Sequence, residues 1–247
     1  MSRLKMFAAA AVGVSTAGFS TAALSCVAFG QEAPAPTSVP AEVVPAEVVV
    51  VEVPADQTSP RGALKVLTRA MDDGDIAVAQ RVMLSESDDE TSWAAAMLRL
   101  STASVTTRRA SVQAFGDEGA KAIIGDAAAA TAFALAAIDR SSEELQGDQA
   151  LVRSSDGVEA PIELKKINGE WRVPVKVFVG DAPAEKLAET AEKMGRQADA
   201  IESFCTDMAA GKYKSPEDAA QALQLAQVKA VFGEPNAPAP TTQQSPG

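Results

Sequence analysis

The 247-residue sequence contains no histidine, and this absence excludes several kinds of site. Histidine is the usual general acid or base near neutral pH and the most common metal ligand. Catalysis by Ser-His-Asp or Cys-His groups and histidine metal sites are therefore excluded. Cysteine is also scarce: Cys26 lies in a segment expected to be removed, which leaves Cys205 without an internal disulfide partner. Aromatic residues make up only 4% of the chain, and the many small side chains favour packed helices over a large β-sandwich.

Positive charge is in deficit as well. The sequence has 22 lysines and arginines against 33 aspartates and glutamates, a net charge of −11. An acidic surface repels the phosphate backbone that supplies most nucleic-acid affinity. Arg108-Arg109 and Lys165-Lys166 are isolated pairs, typical of any solvated face. We therefore expect neither nucleic acid nor anionic lipid as a partner.

The N-terminal segment has the three parts of a secretory signal peptide. Arg3 and Lys5 form a positive start, and a long uncharged apolar run follows them. The small residues of Ala28-Phe29-Gly30 then predict cleavage between Gly30 and Gln31. We expect residues 1–30 to be removed and the mature chain to be periplasmic or secreted.

Two alternatives would keep the chain at a membrane. Residues 6–30 are long enough to serve as an uncleaved anchor. The segment Ala23-Leu24-Ser25-Cys26 is similar to a bacterial lipobox, which would place a lipid on Cys26. Contact with a membrane is expected only if one of these alternatives holds.

Composition divides the rest of the chain into four segments. Residues 31–58 contain five prolines and a repeated Val-Pro-Ala-Glu-Val-Val motif, which predicts a semi-rigid linker. Its valine-rich residues 48–53 could instead add a strand to a sheet edge, of this chain or of a partner. Residues 59–179 are predicted to form an α+β domain and residues 180–233 a helical hairpin. Residues 234–247 are predicted to be a disordered tail.

The folded region is predicted to be helix-dominated α+β. Ser59-Pro60 caps a first helix that ends at Gly74, and Asp75 caps a second one. Further helices are predicted over residues 93–115 and 117–138, with a break near Gly125-Asp126.

Extended segments follow these helices. They cover residues 149–153, 158–167 and 170–179, with a turn at Asp156-Gly157 and a hairpin turn at Asn168-Gly169. An antiparallel β-meander of at least three strands is predicted, with the helices packed on it. Pro174 predicts that its strand lies at an edge or contains a bulge.

The clearest helical pattern comes after the strands. Apolar residues recur at alternating spacings of four and three along residues 183–210, and we call this set the seam: Leu187, Ala191, Met194, Ala198, Ile201, Cys205 and Met208. A second helix over residues 216–232 is predicted to pack antiparallel to the first. The position of Cys205 in the seam favours a buried core thiol over a nucleophile or an intermolecular disulfide.

Three motifs together carry a family resemblance: Ser59-Pro60-Arg61-Gly62-Ala63, Asp73-Gly74-Asp75 and Asn168-Gly169-Glu170-Trp171-Arg172-Val173. Over about residues 59–178 the chain resembles the exported bacterial branch of the nuclear-transport-factor-two-like (SnoaL-like, cystatin-roll) superfamily. The resemblance implies helices packed on a strongly curved antiparallel sheet that forms a cone with a pocket. Its enzymes commonly use Asp-His or Tyr-Asp pairs, and no catalytic residue is carried over to this chain.

Several side chains could line or serve such a pocket: Trp93, Trp171, Glu163 and Tyr213, with Asp72 and Asp73 as further carboxylates. Each tryptophan is more typical of a core anchor than of a ligand-stacking residue. The acidic residues Glu86, Asp88, Asp89 and Glu90 could bind calcium, although their spacing matches no EF-hand loop and favours a solvated loop or helix start. No catalytic residue, metal site or cofactor is expected.

The function predicted from these features is a non-enzymatic binding or interaction module of the cell envelope. Its partner would be an unknown envelope protein or a small ligand. One alternative is a small-molecule-binding or enzymatic roll domain that uses carboxylates in a cone pocket. Another is a structural envelope protein in which the valine-rich repeat serves as an assembly strand.

Overall fold

The structure is a computed structural model that describes residues 57–155 and 160–232. Its helices are α1 Pro60–Asp73, α2 Ile76–Val82, α3 Asp88–Ile124, α4 Ala127–Arg140, α5 Lys176–Val179, α6 Ala184–Ala209 and α7 Pro216–Phe232. Its strands are β1 Met83–Leu84, β2 Ser142–Gln146, β3 Gln149–Arg153, β4 Ile162–Ile167 and β5 Glu170–Pro174. Helices hold 69% of the described residues, so the predicted helix-dominated α+β class is confirmed.

Helix α1 begins and ends where its local sequence predicts. The Ser59 hydroxyl accepts a hydrogen bond from the Gly62 amide at 3.0 Å, and Pro60 occupies the first helical position. Gly74 ends the helix with φ 74°, a left-handed conformation that glycine adopts without a steric penalty. The Asp75 carboxylate then caps α2 by accepting from the Val78 amide at 3.0 Å.

The strands form one five-stranded mixed sheet in the order β1-β5-β4-β3-β2. Strands β2 to β5 form the predicted antiparallel meander, and β1 adds a short parallel pairing of Met83 with Val173. Asn168 and Gly169 have φ values of 53° and 87°, which confirms the hairpin turn predicted at this position.

Two details of the third predicted strand are wrong. The strand ends at Pro174, and the four residues from Lys176 to Val179 form the short helix α5. Strand β5 is not at an edge, because it lies between β1 and β4. The missing N–H of Pro174 costs no ladder bond, since pairing with β4 ends at Arg172. The preceding predicted strand is β4 from Ile162 onward; residues 156–159 lie outside the described residues.

The two faces of the sheet differ sharply in burial. Ala150, Leu164 and Val173 share one row on the face toward the helices, and each is at most 1% exposed. The opposite face carries Glu163 and Lys165 beside Leu164, because successive side chains of a strand point to opposite faces. The sheet therefore has one apolar face in the core and one charged face in solvent.

Six of the seven seam residues of α6 are buried as predicted, and Ala191 is partly buried; the main neighbour of α6 is α3. The Thr107 Oγ1 and Cys205 Sγ atoms are 3.3 Å apart across this interface. Nearer the start of both helices, Arg99 Nη2 donates to Asp199 Oδ1 at 2.6 Å and to Glu202 Oε2 at 2.9 Å. These contacts show that α3 and α6 run parallel. The prediction that the seam packs on α7 is incomplete, because it omits α3 as the main neighbour of α6.

Helix α7 completes this group of helices. It packs on α6 and also on the end of α3, where Pro216 lies against Gly119. Buried residues of α6 and α7 belong to the same apolar cluster as those of α1, α3 and the sheet. The domain boundary between residues 179 and 180 stays a prediction, and the core is continuous across it.

A hydropathy test bears on membrane crossing. Within the described ranges, no single helix is both long and apolar enough to span a bilayer. The pair α3 and α4, which meet at a 56° bend, satisfies the criterion together by length and composition.

Candidate functional site

The two tryptophans are both core residues. Trp93 is 8% exposed and stacks on Phe178 of α5, with ring centroids 6.2 Å apart. Trp171 is 3% exposed, and the Lys166 ammonium lies 5.7 Å from the centre of its ring. The main-chain N–H of Trp171 donates to the main-chain carbonyl of Gln57 at 2.9 Å, and the side-chain Nε2 of Gln57 donates to the Trp171 carbonyl at 3.3 Å. Both rings thus act as packing anchors.

Glu163 and Tyr213 lie on different parts of the molecule. Glu163 is exposed on the solvent face of the sheet, where it lines a hollow of about 170 Å³ with Gln146, Gln149 and Lys165. Tyr213 lies in the connection between α6 and α7, and its ring stacks on that of Phe204 with the ring centroids 5.1 Å apart. Burial raises the pKa of the Tyr213 phenol, and the nearby Asp207 carboxylate adds to the rise.

The structure does not bring these four residues together. Trp93 and Thr107 both lie on α3 and are 14 residues apart. At about 1.5 Å per helical residue, they are about 20 Å apart along the helix. Thr107 contacts Cys205, next to the Phe204 ring that holds Tyr213. Glu163 is on the far face of the sheet from the helices. A single pocket lined by all four is therefore not formed.

Asp72 and Asp73 have structural partners at the end of α1. The Arg108 guanidinium donates to Asp72 Oδ1 at 2.5 Å and to the Asp72 carbonyl at 2.6 Å. Arg109 donates to the Asp73 carbonyl at 3.2 Å. The two arginines therefore satisfy carbonyls that a helix end leaves without partners, and they tie α1 to α3.

The acidic residues 86–90 build the start of α3. The Ser87 hydroxyl accepts from the Glu90 amide at 3.2 Å, and the Glu90 carboxylate accepts from the Glu86 amide at 2.7 Å. This pattern is similar to a capping box, except that the Glu90 carboxylate accepts from the residue before the Ser87 cap and not from Ser87 itself. Glu86 also pairs with Lys165 of the sheet. No group of three or more histidine, cysteine or carboxylate side chains that could hold a metal occurs among residues 57–155 and 160–232.

Cys205 is buried, as its seam position predicts. The thiol is 8% exposed and its closest polar neighbour is the Thr107 hydroxyl. Burial raises the pKa of the Cys205 thiol, which disfavours the reactive thiolate. The remaining candidates Cys26, Gly30 and Gln31 lie outside the described residues, so their roles stay predictions.

The helix-facing side of the sheet is closely packed. Leu164, Val173 and Val175 are each less than 2% exposed. A crevice between α1, α4 and the sheet, lined by Leu64 and Ile138 among others, has a volume of about 20 Å³. That volume has room for roughly one water molecule.

An apolar stripe on α7 is the feature of the described surface best suited to binding. Leu225, Val228 and Phe232 are 55%, 47% and 82% exposed. Their spacing of three and four residues places them on one side of the helix, opposite the buried Ala219 and Leu223. We call these three residues the α7 stripe. The uncharged Gln221 and Gln224 lie just before it on the same side.

Comparisons of this chain with protein-family models, with curated proteins and with solved structures found no match. The resemblance to the nuclear-transport-factor-two-like superfamily therefore stays a prediction.

Sequence reasoning missed the residues that join distant elements. The Gln57 bonds to Trp171 and the Arg108 bonds to Asp72 span 114 and 36 residues, and no local pattern encodes them. The α7 stripe had a signal, since Leu225, Val228 and Phe232 recur at helical spacing outside the face predicted to pack on α6. A second apolar face on a helix whose packing face is already assigned predicts an exposed apolar surface.

Proposed function

We propose that this chain is an exported envelope protein that acts as a non-enzymatic binding module, with the α7 stripe as its docking surface. The observation that carries the proposal is the exposure of three large apolar side chains on one side of a helix held in place by its other side. Monomeric soluble proteins rarely leave grouped apolar side chains uncovered without a binding role.

The size of the stripe sets the expected strength. Fully burying a valine, leucine or phenylalanine side chain contributes about 1.5–3 kcal/mol. The three side chains of the stripe are already about 40% covered on average, so a partner could gain on the order of 3 kcal/mol from them before the costs of association. The partner is expected to present an apolar helix or strand to the three side chains, and it must also accommodate the exposed Lys229, which lies beside Leu225 and Phe232 on the same helix.

Photo-crosslinking in the native host tests this docking surface. A photoreactive amino acid at Val228 is expected to give one discrete adduct with an envelope protein. The double substitution Leu225→Ala with Phe232→Ala should abolish that adduct, because it removes most of the exposed apolar area. The matched control, Gln221→Ala with Gln224→Ala on the same helix, should leave the adduct unchanged. An adduct that survives the first pair of substitutions contradicts the proposal.

Export is tested separately by mass spectrometry of the mature N-terminus. An N-terminal Gln31 supports cleavage after Gly30, and a lipid on Cys26 supports an anchored form. An intact Met1 or Ser2 in a chain recovered from the cytoplasm would overturn the exported part of the proposal.

The small-molecule alternative has less support. A roll pocket needs an apolar hollow between sheet and helices with carboxylates directed into it. The hollow beside Glu163 lies on the solvent face, and the crevice on the helix side has room for about one water molecule. A thermal-shift screen in which no small molecule stabilises the chain would contradict this alternative.

A further inference from the structure

Helix α4 leaves one of its sides uncovered among the described residues. Ala134 and Ile138 are buried against the rest of the domain. On the opposite side, Phe133 is 69% exposed, and it is flanked on the same arc by the small residues Ala129 and Ala136. A large aromatic ring therefore projects from a surface that is otherwise made of alanine.

Charges of opposite sign bound this apolar side. Asp126 precedes the first residue of α4, and Arg140 is its last residue. Asp126 uses Oδ1 to cap the helix, accepting from the Ala129 amide at 2.9 Å. Arg140 is exposed and makes no hydrogen bond or ion pair within the described part of the chain.

The two charged residues are equally far from Phe133, which lies seven residues from Asp126 and seven from Arg140. Steps of three and four residues lead from each end to the centre, so all of these residues lie on one side of the helix. Two such helices placed antiparallel about a twofold axis at Phe133 would bring each Asp126 opposite the Arg140 of the other copy.

We propose that α4 pairs antiparallel with α4 of a second copy of this chain. Phe133 packs against its counterpart, and the alanines allow the two helices to approach closely. Two Asp126–Arg140 ion pairs close the ends of the contact. A twofold arrangement of this kind uses the same patch on both copies, which is the commonest form of protein dimer.

Charge complementarity is what selects a second copy over another occupant. The chain as a whole is acidic, with a net charge of −11, and would repel a second copy at most surfaces. The α4 side is an exception because it carries one charge of each sign at matched distances from its centre. A contact of this length, about 21 Å for 14 residues, is small for a stable dimer. The dissociation constant is therefore expected to be on the order of 100 µM.

Analytical ultracentrifugation of the full chain, over a concentration range that brackets this value, tests the pairing. Phe133→Ala preserves helix propensity and is expected to weaken self-association about 30-fold or more, as removal of a central aromatic anchor does. Leu145→Ala removes a large apolar side chain of similar exposure, 61%, from strand β2 and should leave self-association unchanged. Equal effects of the two substitutions, or a full chain that stays monomeric at 500 µM or about five times the expected constant, would overturn the pairing.

A charge exchange tests the orientation. Arg140→Glu places like charges opposite each other twice in its own dimer, and so does Asp126→Lys. Each variant alone should associate about tenfold more weakly than the unmodified chain. Mixed together they form a heterodimer in which both contacts are again between opposite charges, so association should return. Circular dichroism confirms that each variant is folded, since Asp126→Lys also removes a helix cap.

The outcomes separate the possible occupants of the α4 side. Recovery of association in the mixture supports the antiparallel pair. No recovery from two folded variants overturns it. Phe133→Ala that abolishes binding to phosphatidylglycerol vesicles without changing self-association also overturns it, in favour of a lipid surface. None of these results depends on the α7 stripe, so the pairing and the proposed docking function fail or hold independently.

Discussion

Gly119 on α3 offers a quantitative test of how α3 meets α7. A Cβ added at this position would overlap the Cβ of Phe115 and lie 3.2 Å from Cγ of Pro216, the first residue of α7. The left-handed φ of 70° at Gly116 kinks α3 between Phe115 and Gly119. Neither neighbour can move freely, because one overlapping atom is joined directly to the backbone and the other belongs to a proline ring.

Two effects of Gly119→Ala oppose each other. Alanine in place of glycine inside a helix stabilises by about 1 kcal/mol. Inserting a methyl group into a filled contact costs about 1–3 kcal/mol. We expect the steric cost to be the larger, with a net loss of about 1 kcal/mol in the free energy of unfolding. For a domain of this size, the melting temperature should fall by about 2–4 °C.

Gly195 on α6 provides the matched control. It is also helical, but a Cβ there meets no atom within 4 Å. Gly195→Ala should therefore raise the melting temperature by about 2–4 °C, because only the helix-propensity gain remains. Thermal unfolding followed by circular dichroism measures both variants. If Gly119→Ala stabilises the chain as much as Gly195→Ala does, the close approach of α3 and α7 is wrong.

Three further predictions concern side chains with defined partners. Arg108→Met should lower the free energy of unfolding by about 1–3 kcal/mol in urea titrations, because the Asp72 carboxylate and carbonyl lose a charged donor; Arg109→Met should cost clearly less, and equal costs would contradict this. Cys205 should resist alkylation in the native chain and react only after denaturation, as peptide mass spectrometry can show; ready labelling of the native thiol would count against its burial. Glu189 has a pKa lowered to about 2 by its two lysine partners, so its contribution to stability is complete above pH 4.5 and is lost as the pH falls toward 2. Glu189→Gln should flatten the melting temperature against pH in that window, and an unchanged curve would refute the assignment.

The helix ends and the tight turns could be predicted from the sequence, because a few neighbouring residues determine each of them. The caps at Ser59 and Asp75, the left-handed Gly74 and the Asn168-Gly169 turn are each set by a few neighbouring residues. The same holds for the buried side of α6, where one periodic pattern extends over the whole helix. These features could be predicted because no distant residue is needed to specify them.

The strands that were missed show where such reasoning ends. Strand β1 has two residues, too few for any periodicity, and exists only because β5 provides a parallel neighbour. Strand β2 is mostly polar because it is an edge strand with little burial on either side. The β-prone residues after Pro174 turn into α5, since alternation along one strand does not reveal where its neighbour ends.

The sequence did not show which way the side chains of the candidate pocket residues point. Glu163 precedes Leu164 on the same strand, so one of them must face away from the core. Leu164 is the buried member, and this alone places Glu163 in solvent. The roles of the aromatic candidates could not be decided from the sequence. An aromatic side chain that could stack on a ligand is equally able to fill a core, as Trp93 does against Phe178.

The pairing of α3 with α6 has a consequence for the time order of folding. The residues joined by the Thr107–Cys205 and Arg99–Glu202 contacts are 98 and 103 positions apart in the chain. At a synthesis rate of about 5–20 residues per second, α3 is complete for roughly 5–20 s before the helix that covers it has been made. During that interval the apolar side of α3 has no covering helix, and the growing chain is accessible to chaperones and proteases. The molecule can commit to its folded state only when its last third has emerged.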